Sequence, residues 1–228
     1  MFGRDGLVGK RKRVFMITNR IAIFGTSGFA QEVADICEIL GYNEIVLLTH
    51  LDDCLPINGL NVIRESEIEE INNKGFHFAI GVGDGHTRKK IRELYPHLIY
   101  PNLIHPSATF GRNQKSKIES QVGNIITAGV RFTTNIKIGD FGIFNLNSTV
   151  GHDCVIGDFV SVMPSVNISG NVVVENLCMI GVGATILEGN TNKKITLGEE
   201  SLIGANSLVR KDTVNQAIYF GIPAKKIR

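Results

Sequence analysis

An apolar residue stands at every sixth position from residue 126 to residue 186, and this period is the strongest pattern in the chain. The positions are Ile126, Phe132, Ile138, Phe144, Val150, Ile156, Val162, Ile168, Val174, Ile180 and Ile186. A period of six fits neither an α-helix, with about 3.6 residues per turn, nor a sheet of hairpins. It is typical of a parallel β-helix, in which short strands coil around a prism and every side of the prism repeats.

A second inward row follows four residues after the first and carries mostly small side chains, as a narrow prism requires. Its members are Val130, Ile136, Gly142, Ser148, Cys154, Val160, Val166, Val172, Cys178 and Ala184. Glycine often follows the large apolar residue, which we interpret as a tight corner. The repeat breaks after Ile186 and resumes at Leu197. We therefore expect residues 188–194 to project as a loop, and the loop is a candidate for contacting a neighbouring subunit.

Predicted strands and helices alternate before the repeats. The predicted strands are residues 21–24, 45–48 and 76–80, and the predicted helices are residues 29–40, 65–71 and 87–94. Such alternation indicates a parallel sheet with right-handed crossovers, here only large enough for half of a Rossmann-type nucleotide-binding fold. The predicted domains are an extension at 1–19, an α/β half-Rossmann domain at 20–100 and a parallel β-helix at 101–228.

The turn between the first predicted strand and helix is the natural place for a ligand, because backbone N–H groups at a helix N-terminus bind phosphate. The turn consists of Gly25, Thr26, Ser27 and Gly28. Its GxxG spacing is shorter than the full GxGxxG of a dinucleotide fold, so the motif alone is weak. Asp52 and Asp53 follow the second strand, where an acidic side chain meets a ribose or base edge. The alternative role for either aspartate is to cap its own loop.

Gly83 and Arg88 follow the third predicted strand and complete this candidate substrate site. Arg88 is placed to reach a phosphate, and an exposed cation on the predicted helix is an equal alternative. The alternative for the whole domain is a docking module that binds no ligand.

The composition narrows the possible partners. The chain has 228 residues and a net charge of +2, which gives no reason to expect a nucleic-acid partner. The basic run at residues 10–13 is interpreted as a solvated tail. The four cysteines show neither CxxC nor metal-ligand spacing, and no apolar run approaches the ~18 residues of a membrane span. We therefore expect a cytoplasmic protein without a metal or a membrane partner.

His152 is the only histidine between residues 108 and 228. Because Val150 and Cys154 belong to the inward rows, His152 should point outward, where a solvated surface histidine is the alternative to a functional one. Asp153 can orient its imidazole. A neutral histidine can take a proton from an amine or a hydroxyl during acyl transfer. Gly170 lies one predicted coil later and should stack on His152, so its backbone N–H is a candidate donor to an oxyanion.

These residues resemble those of the bacterial sugar-nucleotide acetyltransferases, a family that includes bacillosamine-pathway N-acetyltransferases and sialic acid O-acetyltransferases. The similarity covers roughly residues 20–228. It is most specific in the glycine turn, in NLNSTVGHDCVIGD at 145–158, in SGN at 169–171 and in GIPAK at 221–225. The resemblance implies a left-handed β-helix, a homotrimer, and acetyl-CoA bound in the groove between neighbouring β-helices.

The same resemblance implies roles for individual residues. His152 is the expected general base, assisted by Asp153, and Asn145 is expected to contact the sugar. The residues expected at the coenzyme are Gly170, Gly181, Val182, Gly204, Ala205, Pro223, Ala224 and Lys225. The glycine turn, with Asp52 or Asp53, would hold the nucleotide of the acceptor.

We therefore expect an acetyl-CoA-dependent N-acetyltransferase whose acceptor is a nucleotide-linked amino sugar, a UDP- or dTDP-linked 4-amino-4,6-dideoxyhexose. Cys154 and Cys178 are expected to pack inside the prism rather than to act as nucleophiles. The alternatives are an O-acetyltransferase of sialic acid or another sugar, and a non-catalytic repeat scaffold. A hexapeptide-repeat carbonic anhydrase would need three histidine ligands for zinc, and the repeats supply one.

Overall fold

The computed structural model describes residues 18–228. The basic run at 10–13, and all but the last two positions of the extension predicted for 1–19, lie outside the described residues. Among those described, no helix is both long enough and apolar enough to cross a membrane.

The N-terminal part of the described chain is a four-stranded parallel sheet flanked by helices. Its elements are β1 (Arg20–Phe24), α1 (Gly28–Ile39), β2 (Glu44–Thr49), β3 (Asn61–Arg64), a 3₁₀ turn (Glu65–Glu67), α2 (Ile68–Asn73), β4 (His77–Ile80) and α3 (Gly85–Leu94). The six predicted elements are all present, although the helix predicted at 65–71 begins with the 3₁₀ turn. Strand β3 was not predicted, because Val62 is its only buried residue and the sequence shows no apolar run there.

The strand order β3-β2-β1-β4 gives the sheet a topological switch point between β1 and β4. Alternate side chains of β1 enter two cores, because successive residues of a strand face opposite sides. Ile21 and Ile23 pack against α1, whereas Ala22 and Phe24 pack against the side that carries α2. The loops that follow β1 and β4 therefore lie side by side at the carboxyl edge of the sheet, where open α/β sheets bind ligands.

The C-terminal part is a parallel β-helix with three faces, and α4 (Gln114–Ile118) interrupts its first coils. The first face contains β5 (Leu103–Ile104), β7 (Ile125–Ile126), β10 (Ile143–Phe144), β13 (Ser161–Val162), β16 (Met179–Ile180), β19 (Leu202–Ile203), β21 (Ile218–Phe220) and the antiparallel β22 (Lys225–Lys226). The second contains β6 (Thr109–Phe110), β8 (Arg131–Phe132), β11 (Thr149–Val150), β14 (Asn167–Ile168), β17 (Thr185–Ile186) and β20 (Leu208–Val209). The third contains β9 (Lys137–Ile138), β12 (Val155–Ile156), β15 (Val172–Val174) and β18 (Ile195–Leu197).

Both predicted inward rows are confirmed. Val150 pairs with Phe132 below and Ile168 above, so one coil spans 18 residues. Every large apolar residue of the first row is at most 7% exposed. Cys154 and Cys178 are fully buried in the second row, and burial raises the pKa of the Cys154 thiol to about 11. Such a thiol stays protonated at neutral pH, which agrees with the predicted packing role.

The glycines that follow the large apolar residues are required by close packing between coils, and not by a tight turn of the backbone as predicted. A Cβ on Gly151 would lie 2.5 Å from the carbonyl carbon of Ser169, so glycine is required by the close approach of the next coil. The left-handed residue of that corner comes two positions later, at Asp153, with φ of 60°. Asn171 holds the same conformation one coil above, and Asn147 holds it at another corner. Asparagine and aspartate tolerate this conformation better than most residues.

Arg88 joins the two domains, and both predictions for it were wrong. Its side chain is 1% exposed, so it is neither a solvated helix cation nor free to reach a phosphate. Its guanidinium donates to two oxygens on its own domain and to four on the β-helix. The acceptors are the carbonyl oxygens of Val82, Gly83, Phe141, Phe159 and Val160, and the hydroxyl oxygen of Ser161. Burial lowers the pKa of Arg88 to about 10, which leaves it charged at neutral pH.

Replacing Arg88 should weaken the junction between the domains. We expect Arg88→Met to lower the free energy of unfolding by about 3 kcal/mol, because buried carbonyl oxygens would lose their donor. Lys89→Met, at the exposed next position of α3, is the matched control. Chemical denaturation followed by circular dichroism measures the difference, and equal midpoints for the two variants would contradict the role of Arg88.

Candidate active site

His152 lies at the corner between the second and third faces, hereafter the His152 corner, which comprises residues 151–154 and those stacked on them. The side chain points outward and is 46% exposed, as the register predicts. Nδ1 lies 2.8 Å from Oδ2 of Asp153, and Nε2 lies 3.2 Å from Oε1 of Glu188. An ionised carboxylate only accepts hydrogen bonds, so a carboxylate beside each ring nitrogen favours the protonated imidazole.

The electrostatics of the corner favour a charged imidazole. The hydrogen bond to Asp153 and the charge of Glu188 raise the pKa of His152 above its ordinary value. Hydrogen bonds from Asn135 and His152 lower the pKa of Asp153. Lys194 donates to the backbone oxygen of Asp153 and adds to this effect.

Gly170 stacks directly on His152, as the eighteen-residue coil predicts. A Cβ on Gly170 would lie 2.5 Å from Nε2 of His152, so a side chain there would displace the imidazole. The buried N–H of Gly170 donates to no acceptor within residues 18–228. It is therefore available to a ligand beside the imidazole.

Glu188 stands one further coil above Gly170, because Ile168 pairs with Ile186. Its carboxylate reaches back past the glycine to His152. The sequence analysis missed this residue, since it placed Glu188 in a projecting loop. The same eighteen-residue offset that identified Gly170 could have found it.

The loop at 188–194 is present, and both its ends contact the His152 corner of the same chain. Glu188 contacts the imidazole and Lys194 contacts the backbone of Asp153. Asn190 and Lys193 close its tip with two backbone hydrogen bonds. Contact of this loop with a neighbouring subunit stays a prediction.

Asn145 lies at a different corner, between the first and second faces. It faces a cleft of about 160 Å³ between the domains, together with Phe29 and Glu32 of α1, Gly83, Ile143 and Met163. The structure thus brings together two predicted substrate residues, Asn145 and Gly83. A Cβ on Gly83 or on Gly28 would meet no atom within 4 Å, so both glycines border open space.

The glycine turn lies at the switch point, where the N–H of Gly25 donates to Leu48 of β2 and that of Gly81 donates to Phe24 of β1. Ser27 and Gly28 are exposed. The carbonyl oxygen of Thr26 accepts a hydrogen bond from Gln31 of α1. Asn58 donates to the side chain of Gln31, which ties the loop after β2 to the turn.

The two predicted aspartates of that loop have partners of their own. Asp53 accepts a hydrogen bond from the N–H of Leu55 at 3.2 Å, which is the loop-capping alternative. Asp52 lies 3.6 Å from Arg64, and its side chain is fully exposed. No contact joins either aspartate to the glycine turn within residues 18–228.

The residues expected at the coenzyme fall into two groups. Gly181, Val182, Gly204 and Ala205 stack in the coils above Asn145, and the ring of Phe220 covers Gly204. Pro223 and Ala224 border a cleft of about 370 Å³ with Arg210 and Lys211. A neighbouring cleft of about 560 Å³ adds Glu188, Lys193 and Lys194. Lys225 is exposed in β22.

One chain does not bring its two candidate corners together. The residues of the Asn145 corner precede each strand of the second face, and those of the His152 corner follow it. No group of three or more His, Cys, Asp or Glu side chains within residues 18–228 is arranged to hold a metal ion.

Comparison with known proteins places this architecture among acetyltransferases. Residues 20–94 match the PglD N-terminal domain. GDP-perosamine N-acetyltransferase of Escherichia coli O157:H7 is 29% identical over 188 residues, which cover 79% of this chain and 83% of the relative.

Two solved structures match both domains. PerB from Caulobacter crescentus, in complex with CoA and GDP-perosamine, is 27% identical with a TM-score of 0.79, covering 91% of this chain and 96% of that one. The acetyltransferase domain of PglB from Neisseria gonorrhoeae, in complex with acetyl coenzyme A, is 27% identical with a TM-score of 0.81, covering 92% and 99%. The β-helix is left-handed. The chain is thus similar over most of its length to acetyltransferases that act on nucleotide-linked amino sugars, and its residues 20–94 match the PglD N-terminal domain.

Proposed function

We propose that this enzyme transfers an acetyl group from acetyl-CoA to the amino group of a nucleotide-linked sugar, with His152 as general base. The observation that carries the proposal is the imidazole of His152, which pairs with the Asp153 carboxylate and lies against Gly170, whose N–H donates to no acceptor within residues 18–228. A base and an oxyanion donor within one site are the two groups that acyl transfer requires.

In the proposed reaction the amine nitrogen bonds to the thioester carbon while Nε2 of His152 takes a proton from it. The N–H of Gly170 donates to the oxyanion that forms. Collapse of this intermediate breaks the C–S bond, and the imidazolium returns the proton to the CoA thiolate. The products are the N-acetylated sugar and CoA. Cys154 and Cys178 take no part, because both thiols are buried.

The acceptor would bind in the crevice between the domains. The nucleotide phosphates would meet the N–H groups of the glycine turn at the start of α1, and the sugar would extend along Gly83 to Asn145. Because PerB was solved with GDP-perosamine, a GDP-linked amino sugar joins the UDP- and dTDP-linked sugars as a candidate acceptor. Arg64 holds Asp52 at the rim of this region.

The coenzyme would lie along the upper coils above the imidazole. Lys193, Lys194, Arg210 and Lys211 gather at the two adjoining clefts there, next to Pro223 and Ala224. Their charges suit the phosphates of acetyl-CoA.

The active site would be shared between subunits of a homotrimer. Asn145 and His152 lie at different corners of one prism, so the Asn145 corner of one copy would face the His152 corner of the next. Leu146 and Val182 are exposed apolar residues at the Asn145 corner, as an interface requires.

Removing the base should abolish most of the activity. We expect His152→Asn to lower kcat by about 10² or more, because the variant lacks the imidazole nitrogen that would take the proton from the amine. In the wild type kcat/KM should rise with pH through a pKa above 6.5, since the raised pKa keeps the imidazole protonated at lower pH. Steady-state rates from pH 5 to 9 measure both effects. Wild-type turnover in His152→Asn would remove His152 from the mechanism.

A side chain that projects into the crevice between the domains should weaken binding of the sugar nucleotide but not of acetyl-CoA. Gly83→Val projects into open space, so we expect its KM for the sugar nucleotide to rise about tenfold or more while its melting temperature and its KM for acetyl-CoA stay unchanged. Gly81→Ala shows the contrasting case, because its Cβ would lie 2.8 Å from Cα of Ala30 and destabilise the fold. Equal changes in the two KM values of Gly83→Val would contradict an acceptor site here.

Subunit mixing tests the shared site. His152→Asn and Asn145→Ala should each be inactive alone, and their co-expressed hybrid trimers should regain activity, because some interfaces combine the intact corner of each chain. Co-expression of His152→Asn with Asp153→Asn is the control, since both changes damage the same corner. Light scattering should show trimers throughout. Hybrids that stay as inactive as the two parents would contradict the shared site.

A further inference from the structure

Glu188 is a charged group at the His152 corner that the proposed mechanism leaves unused. It reaches His152 only because Gly170, the residue between them in the stacked column, has no side chain to block the path. The backbone holds it in place, since the N–H of Gly189 donates to the carbonyl oxygen of Gly170 at 3.1 Å. A carboxylate that is 56% exposed remains free to accept from an entering substrate.

We propose that Glu188 is a specificity-determining residue that accepts one N–H of the attacking amine and so selects an amine over a hydroxyl. The inference rests on the proposed acetyl transfer and deepens it. Oε1 of Glu188 and Nε2 of His152 are 3.2 Å apart, so one nitrogen atom can donate to both.

The number of hydrogen-bond donors on the attacking group of the sugar determines whether an amine or a hydroxyl is preferred. A neutral amine has two N–H groups and one lone pair. One N–H donates to His152, the other to Glu188, and the lone pair faces the thioester carbon. The proton given to His152 goes on to the CoA thiolate, and the N–H on Glu188 remains in the amide product. The atoms and charges therefore balance without a further reactant.

A sugar that carries a hydroxyl in place of the amine cannot make both contacts. The single O–H of this hydroxyl donates to His152 and one lone pair attacks, so its second lone pair faces the carboxylate of Glu188. That contact is repulsive, and the carboxylate finds no donor on the bound hydroxyl. Sites built to pair with a particular donor reject the analogue that lacks it.

Glu188 should also affect the pH dependence of the reaction, because its charge acts on the imidazole of His152. The imidazole faces Asp153 on its own corner and Glu188 from the coil above, and Lys194 contacts the backbone of Asp153. Removing the charge of Glu188 should lower the pKa of His152, so the acidic limb of the kcat/KM profile should move to lower pH. A residue that only supported the fold would not shift this limb.

The test compares Glu188→Gln with Glu199→Gln, an exposed glutamate on another corner that makes no side-chain hydrogen bond within residues 18–228. Each is assayed with a nucleotide-linked amino sugar and with the matching sugar that carries a hydroxyl in place of the amine. We expect Glu188→Gln to lower kcat/KM for the amine about 10- to 100-fold and to reduce the preference for amine over hydroxyl. Glu199→Gln should behave as the wild type, and melting temperatures should match.

Three results would overturn the proposal. Behaviour of Glu188→Gln equal to that of Glu199→Gln would show that Glu188 has no role in turnover. A shifted pH limb with an unchanged preference for the amine would show that Glu188 acts only on His152. Wild-type enzyme that acetylates no amino sugar would instead overturn the proposed function, and this inference with it.

Discussion

The stacking of one coil on the next is the constraint on which the site depends. In the regular coils, backbone hydrogen bonds join a strand to the strand 18 residues later, and the inward apolar rows fill the space between the faces. Residues that are far apart in the chain thereby become neighbours at fixed spacing. His152, Gly170 and Glu188 form one such column, and no loop has to position them. A site on a regular scaffold of this kind is held more rigidly than one built on loops.

The column also explains why an insertion of five residues is tolerated where it occurs. Ile186 pairs with Val209 across 23 residues instead of 18, so the extra residues leave the prism and the register resumes. The insertion begins just after Glu188, which keeps this residue in the regular stack. Lys194 returns the chain to the same corner before β18. The loop therefore adds charged groups beside the imidazole without disturbing the coils that hold it.

Much of the fold could be predicted from the sequence because the β-helix repeats at short range. The six-residue period identifies the inward rows, and three periods give the coil that stacks Gly170 on His152. Arg88 could not be predicted in this way. Four of its six acceptors lie 53 or more residues away on the β-helix, and no local pattern distinguishes a buried, fully bonded arginine from a solvated one. The roles of Asp52 and Asp53 stay predictions, since a loop between regular elements offers each carboxylate local partners that a sequence pattern cannot rank.

The two domains contribute different physical properties to one reaction. In the proposed reaction the β-helix would supply a rigid base and a backbone donor, which acyl transfer needs at fixed separation. The α/β domain supplies an open crevice at the switch point of its sheet, where a nucleotide can be bound far from the reacting carbon. Arg88 fixes the crevice relative to the coils, since its guanidinium bonds to both parts and has no donor left for a ligand. A buried arginine that has no donor left for a phosphate would therefore still affect substrate position in the proposed reaction, because it fixes the crevice relative to Asn145.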